Sequence, residues 1–148
     1  MLRQMAENVM ANAIRKLTDP VPGFAEQAAV FTSFQALERG IPAAWARSLE
    51  SHGLTRDDIR RIIPDRTLDR RIAAGENLKI EEADGLARLL RVVKAARDLF
   101  QNDENADVFL RSPNPALGER IPIHMAQTDI GAREVETIIG RLAYGVYS

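Results

Sequence analysis

The stretch from Ile80 to Gln101 constrains the fold more than any other part of this chain. Ala83, Leu86, Leu90, Val93, Ala96 and Phe100 recur at steps of three and four, and Leu89, Val92 and Leu99 widen the stripe. Such steps place side chains on one face of a helix, whereas a half-buried strand would need strict alternation. A stripe this long and broad predicts the central core helix of an all-α protein. Gly85 lies in its first turns at a cost of about 1 kcal/mol against alanine, for a reason the sequence does not disclose.

The remaining segments read as shorter helices separated by proline, glycine and capping residues. Met5, Val9, Ala13, Ile14 and Leu17 line a first helix, and the turn Thr18-Asp-Pro-Val-Pro-Gly23 follows. Phe24, Ala28, Phe31, Phe34 and Leu37 mark a second helix, ended by Gly40. Pro42 precedes a third, from Ala43 to His52, with Trp45 and Leu49 facing the core, His52 capping carbonyls and Gly53 closing it. Thr55 and Asp58 stand at capping spacing before Ile59, Ile62 and Ile63, and Pro64 stops that run. Asp65 is expected to cap a further helix, Arg66 to Ala74, closed by Gly75. Beyond the long helix, Asn102 to Asn105 breaks the pattern and Ala106 to Leu110 makes a short helix. Ser112-Pro-Asn-Pro115 must be extended or turned. Pro122 starts a short helix to Gln127, and Thr128 caps the last one. No alternating strand of useful length occurs.

Two of these segments carry chemistry. In Arg66 to Ala74, Leu68 and Ile72 bury one side, leaving Arg66, Thr67, Arg70 and Arg71 to share the outward side. Two short helices with arginines on the second have the form of a helix-turn-helix, whose second helix enters the DNA major groove. A solvated basic helix is the competing reading. In Gly131 to Ser148, Val135, Ile138, Ile139 and Leu142 form an apolar stripe, and Gly140 and Gly145 are expected to weaken and end the helix. The tip, Tyr144-Gly-Val-Tyr-Ser148, holds both tyrosines of the chain. Undocked tails are usually polar, so this one is expected to dock, on its own core or on another protein.

Composition narrows the function classes. The chain has 148 residues and no cysteine, which excludes disulfides and zinc-thiolate sites. There is no apolar run of bilayer length and no signal-peptide pattern at the start, so a cytoplasmic protein without a membrane role is expected. Two histidines, with no phosphate loop and no serine elbow, give no catalytic constellation. His124 reads as a packing residue, and the pairs Glu81/Glu82 and Glu134/Glu136 read as helix surface. No enzyme activity, cofactor or metal is expected. Lys and Arg against Asp and Glu number five and five in residues 1–55, eleven and eight in 56–97, and four and eight in 98–148. A basic middle and an acidic end suit an anionic polymer and a protein partner respectively, or scattered surface charge.

From about residue 54 onward the chain resembles the Xre/MbcA/ParS-type antitoxins, the partners of RES-domain toxins. The matching blocks are Arg66-Thr-Leu-Asp-Arg-Arg-Ile72, LKIEEADGLARLLR from Leu78 to Arg91, and Phe109-Leu-Arg-Ser-Pro-Asn-Pro-Ala-Leu-Gly118. Gly131-Ala-Arg-Glu-Val-Glu136 and Gly140 to Ser148 complete them, in the family's order. The resemblance implies a type II toxin–antitoxin system, whose toxin degrades NAD or uses it to ADP-ribosylate a target. It implies a variable helical region over 1–40, a helix-turn-helix region with the central helix over 41–97, and a toxin-binding domain over 98–148. It further implies that Arg141, Tyr144, Gly145, Val146, Tyr147 and Ser148 form the segment placed at the toxin's active site. Arg66, Thr67, Arg70 and Arg71 would read operator DNA and repress the chain's own operon, from a homodimer within a hetero-oligomeric toxin complex. The alternative is a stand-alone helix-turn-helix regulator without a toxin. The sequence departs from the family at Lys79 and Ala83, where serines are usual, and at Gly118-Glu-Arg-Ile-Pro-Ile123. Asp69, on the helix expected to read DNA, would repel phosphate; the alternatives are that it accepts from a cytosine amino group, or that this helix binds DNA weakly or not at all.

Overall fold

The computed structural model describes residues 2–5, 29–31, 33–51 and 53–145. Among them there are helices and no strand; two isolated bridges, Pro42 with Asn77 and Asn114 with Arg120, are the extended pairings. The fold is all-α, as the stripes require. The chain forms two compact units, residues 1–87 and 88–148, and the division falls inside the long helix.

In the first unit, residues 2–5 are helical with Met5 exposed, and the rest of the expected first helix lies outside the described residues. The helix expected to run from Phe24 to Gly40 is interrupted. Ser33 is extended, and its hydroxyl accepts from the Ala36 amide at 3.3 Å to start helix α1, Phe34–Arg39. A serine competes for backbone donors where an uninterrupted helix would need none. Gly40 closes α1 at φ 89, and a Cβ there would lie 2.3 Å from the Asn77 amide nitrogen. That close approach lets residues 41–43 lie along 76–78, with Leu78 donating to Ile41 and Ala43 to Glu76.

Helix α2, Ala44–Ser48, tightens into a 3-10 turn, Leu49–Ser51, in place of one longer helix. His52 lies outside the described residues. Thr55 and Asp58 form a full capping box: Asp58 N donates to the Thr55 hydroxyl at 3.2 Å, and Thr55 N donates to the Asp58 carboxylate at 2.7 Å. This starts helix α3, Arg56–Ile62, with Ile59 buried. Ile63 leaves the helix in extended conformation ahead of Pro64, and helix α4 is Asp65–Ala73. Pro64, not Asp65, holds the cap position. Asp65 is already helical, and its carboxylate is taken by Arg47 and Arg56 at 3.3 and 3.4 Å.

Helix α5, Ile80–Phe100, is the long element, with Ala83, Leu86, Leu89, Leu90, Val92, Val93 and Ala96 all buried. Gly85 now has an explanation. A Cβ on it would meet the Ile62 side chain at 2.8 Å, so the glycine lets α3 approach the start of α5.

In the second unit, Asn102 accepts from the Asn105 amide at 2.9 Å and starts helix α6, Asp103–Arg111, earlier than the sequence suggested. Phe100 and Phe109 pack with ring centroids 5.4 Å apart and their planes tilted by 45°. Asn114 caps a 3-10 turn, Pro115–Leu117, and pairs with Arg120 across Gly118, whose φ is 65. Helix α7, Pro122–Met125, and helix α8, Asp129–Ala143, follow, the latter capped by Thr128 as expected. Helix α7 packs against both α6 and α8, and α8 also packs on the 3-10 turn. At Gly131 a Cβ would lie 2.0 Å from the Met125 carbonyl oxygen, so only glycine admits this packing of α7 and α8.

Candidate functional site

Helix α8 buries Ala132, Val135, Ile138 and Ile139, which are the inward positions of its stripe. Leu142, expected to extend that stripe, is 40% exposed. Gly140 does not end the helix; it continues to Ala143, and Gly145 at φ 67 makes the turn. Tyr144 and Gly145 donate to the carbonyls of Gly140 and Leu142, which satisfies acceptors that the last turn leaves open. Arg141, Tyr144 and Gly145 are all exposed, Tyr144 at 87%. Val146, Tyr147 and Ser148 lie outside the described residues.

The outward side of α8 borders a groove of about 380 Å³, with Ile130, Arg133, Thr137 and Arg141 on one wall and Ala116 and Leu117 on the other. Ile130 is 75% exposed there, a large apolar side chain the sequence reading did not single out. Its signal was the spacing 130, 134, 137 and 141, a second helical face opposite the buried one. Glu136, expected on the helix surface, is bound by Arg91 of α5.

The basic helix pair lies in the first unit. Arg66 and Arg70 are exposed on α4 and Thr67 is half-buried beside them. Arg71 is not on this outward side. It is 5% exposed, and its guanidinium is bound by Glu82, itself mostly buried and also accepting from the Lys79 amide. Glu82 is therefore an internal counter-ion and not helix surface. Buried charges need such a partner, because desolvation disfavours an isolated ion.

Asp69, which would repel a phosphate, is held by Arg47 at 2.6 Å, and the same guanidinium reaches Glu50 and Asp65 at 3.3 Å each. These partners, Asp69 foremost, raise the pKa of Arg47 above its ordinary value. On α3, Asp57 binds both Arg60 and Arg61, and these guanidiniums hold its carboxyl below the usual carboxylate range. Arg70 pairs loosely with Glu76 at 3.6 Å. Of the six arginines from Arg56 to Arg71, Arg66 is the one with no ion pair among the described residues.

No group of three or more His, Cys, Asp or Glu among the described residues is arranged to hold a metal, and no described helix is long and apolar enough to cross a membrane. His124 is half-buried beside Arg120 and Met125.

This arrangement, an all-helical chain whose last helix ends in an exposed tyrosine, coincides with a known domain. The profile of the antitoxin Xre/MbcA/ParS C-terminal toxin-binding domain matches residues 95–145, which covers α6 to α8. Among similar proteins, the Xre antitoxin of Yersinia enterocolitica is 41% identical over 87 residues, covering 58% of this chain and 59% of the relative's length. The Xre antitoxin of Photorhabdus laumondii is 31% identical over 76% of this chain and 78% of its own length. That of Pseudomonas putida is 30% identical over 81% and 76%. The chain belongs to the Xre antitoxin family, and its second unit carries that family's toxin-binding domain.

Proposed function

We propose that this antitoxin neutralises a cognate RES-domain toxin by placing the end of α8 and the residues beyond it at the toxin's NAD site. Arg141, Tyr144, Gly145, Val146, Tyr147 and Ser148 are the contact segment. The observation that carries this reading is the position of Tyr144: within the matched toxin-binding domain, 87% exposed, immediately after the last helix and before a left-handed glycine. An aromatic left in water at a chain turn loses nothing by moving into a partner. Buried tyrosines are also among the strongest interface anchors, at about 2 kcal/mol or more each. A nucleotide pocket is concave and suits a ring with a polar tip. The acidic excess of residues 98–148 would assist approach to a basic cleft.

The same protein, as a homodimer inside the toxin complex, represses its own operon through α3 and α4 as a helix-turn-helix. Arg66, Thr67 and Arg70 face the groove, while Arg71 positions the reading helix from inside through Glu82. Both activities take place in the cytoplasm, where the toxin's NAD and the operon are found.

Co-expression tests the first half. The full chain should restore growth and cellular NAD in cells making the RES toxin, and Tyr144→Ala with Tyr147→Ala should restore neither. Equal rescue by that variant would remove the tip from the inhibitory contact. A mobility shift on the upstream DNA tests the second half: Arg66→Ala and Arg70→Ala should each weaken the shifted band, and unchanged binding would refute the groove assignment.

A further inference from the structure

Apart from Arg66, the arginines of α3 and α4 are held in ion pairs among the described residues. Asp57 on α3 binds two of them, Arg60 and Arg61, the latter at 3.0 Å, and Asp65 and Asp69 on α4 share Arg47, with Asp65 also reaching Arg56. The Asp57 pairs lie one turn apart along α3 and are largely solvent-exposed, so they contribute little to stability. A carboxylate gripping two guanidiniums occupies donors that would otherwise bind phosphate oxygens. We infer that Asp57 is an internal counter-ion that lowers the DNA affinity of α3 by occupying Arg60 and Arg61, so that binding duplex DNA exchanges one anion for another.

This rests on the DNA-reading role proposed for α3 and α4. In a helix-turn-helix the first helix crosses the phosphate backbone, which is where two additional guanidiniums would act. Asp69 plays a different part. Arg47 neutralises it from α2 and would keep Glu50 and Asp65 without it, so removing Asp69 releases no arginine of α3. Loss of Asp65 would release Arg56 alone, whereas loss of Asp57 releases two guanidiniums of α3 at once.

The test compares the wild-type chain, Asp57→Asn and Glu81→Gln on a fluorescein-labelled random-sequence duplex of about 30 base pairs. Glu81 is exposed and has no ion pair among the described residues, so its variant makes the same change in net charge without releasing an arginine. Freeing two phosphate-binding groups steepens the slope of log affinity against log salt by up to about 2. Asp57→Asn should therefore bind about tenfold tighter at about 50 mM salt with the steeper slope, and Glu81→Gln should change affinity less than about twofold. Adding Arg60→Gln and Arg61→Gln to Asp57→Asn should reverse the gain. Equal behaviour of Asp57→Asn and Glu81→Gln overturns the counter-ion role. If Arg66→Ala still weakens binding in that case, the DNA-reading role survives it. Failure of the wild type and Asp57→Asn alike to bind duplex overturns both, and failure of Asp57→Asn alone overturns the counter-ion role.

Discussion

Truncating Arg71 to alanine separates a structural arginine from Arg70, which is proposed to read DNA. Its side chain is 6% exposed, and that of Glu82, its partner, is 15% exposed. Removing one member of such a pair leaves the other charge buried without its counter-ion, at a cost of about 3–5 kcal/mol. Glu82 keeps the Lys79 amide as a donor, which favours the lower end of that range. The Arg70–Glu76 pair, with side chains 62% and 47% exposed, is worth at most about 1 kcal/mol. At about 4–8 °C per kcal/mol for a unit of this size, Arg71→Ala should lower the melting temperature by about 12 °C or more. Arg70→Ala should lower it by a few degrees at most. Thermal unfolding followed by circular dichroism measures both. Replacing the pair together, as Arg71→Met with Glu82→Leu, should recover most of the loss, because a buried ion pair can be exchanged for apolar groups nearly without penalty. An Arg71→Ala protein that melts within about 2 °C of the wild type would refute the burial argument. A double Arg70→Ala, Arg71→Ala variant would mix unfolding with lost DNA contact.

Two further outcomes are expected. Gly131→Ala drives a methyl into the Met125 carbonyl, and because backbone must move the cost is about 3 kcal/mol; denaturant titration should show a lowered midpoint, and an unchanged one would mean that α7 and α8 can separate freely. Asp57 has a folded-state pKa below its ordinary 3.8, so its pairs stabilise above that pH and lose their contribution as pH falls through the lowered value; the melting difference between wild type and Asp57→Asn should be present at neutral pH and vanish in strong acid, and a difference that grows in acid would reverse the assignment.

The elements that were legible in the sequence were those set by local chemistry. Thr55 and Thr128 announce caps because their hydroxyls accept from amides three residues on, with Asp58 accepting in return from the Thr55 amide, and the α5 stripe needs only its own periodicity. Ser33 and Asn102 cap by the same rule, but Ser33 sits inside an apolar stripe that spans it, and Asn102 opens a polar stretch whose first helical turn has no apolar periodicity. Arg71 was misplaced for a different reason. It stands three residues after Leu68, so it shares much of the buried face, and what makes its burial tolerable is a glutamate eleven residues further on. Tertiary pairing of that kind has no local signal. The same holds for Gly85 and Gly131, whose reason lies in the Ile62 side chain and the Met125 carbonyl. On α8 the buried stripe was legible, but the groove beside Ile130 exists only because the 3-10 turn at Pro115–Leu117 comes to lie next to that helix.

The proposed inhibitory contact depends most on the residues that follow α8. Purified cognate RES toxin, titrated with the full chain or with a chain ending at Ala143, gives the direct measurement when NAD consumption is followed. Losing two tyrosine anchors at about 2 kcal/mol each should weaken inhibition by about 10²- to 10³-fold. The full chain should silence the toxin near equimolar ratio, while the shortened chain should still co-elute with it and leave NAD consumption running. Equal inhibition by the shortened chain would contradict it.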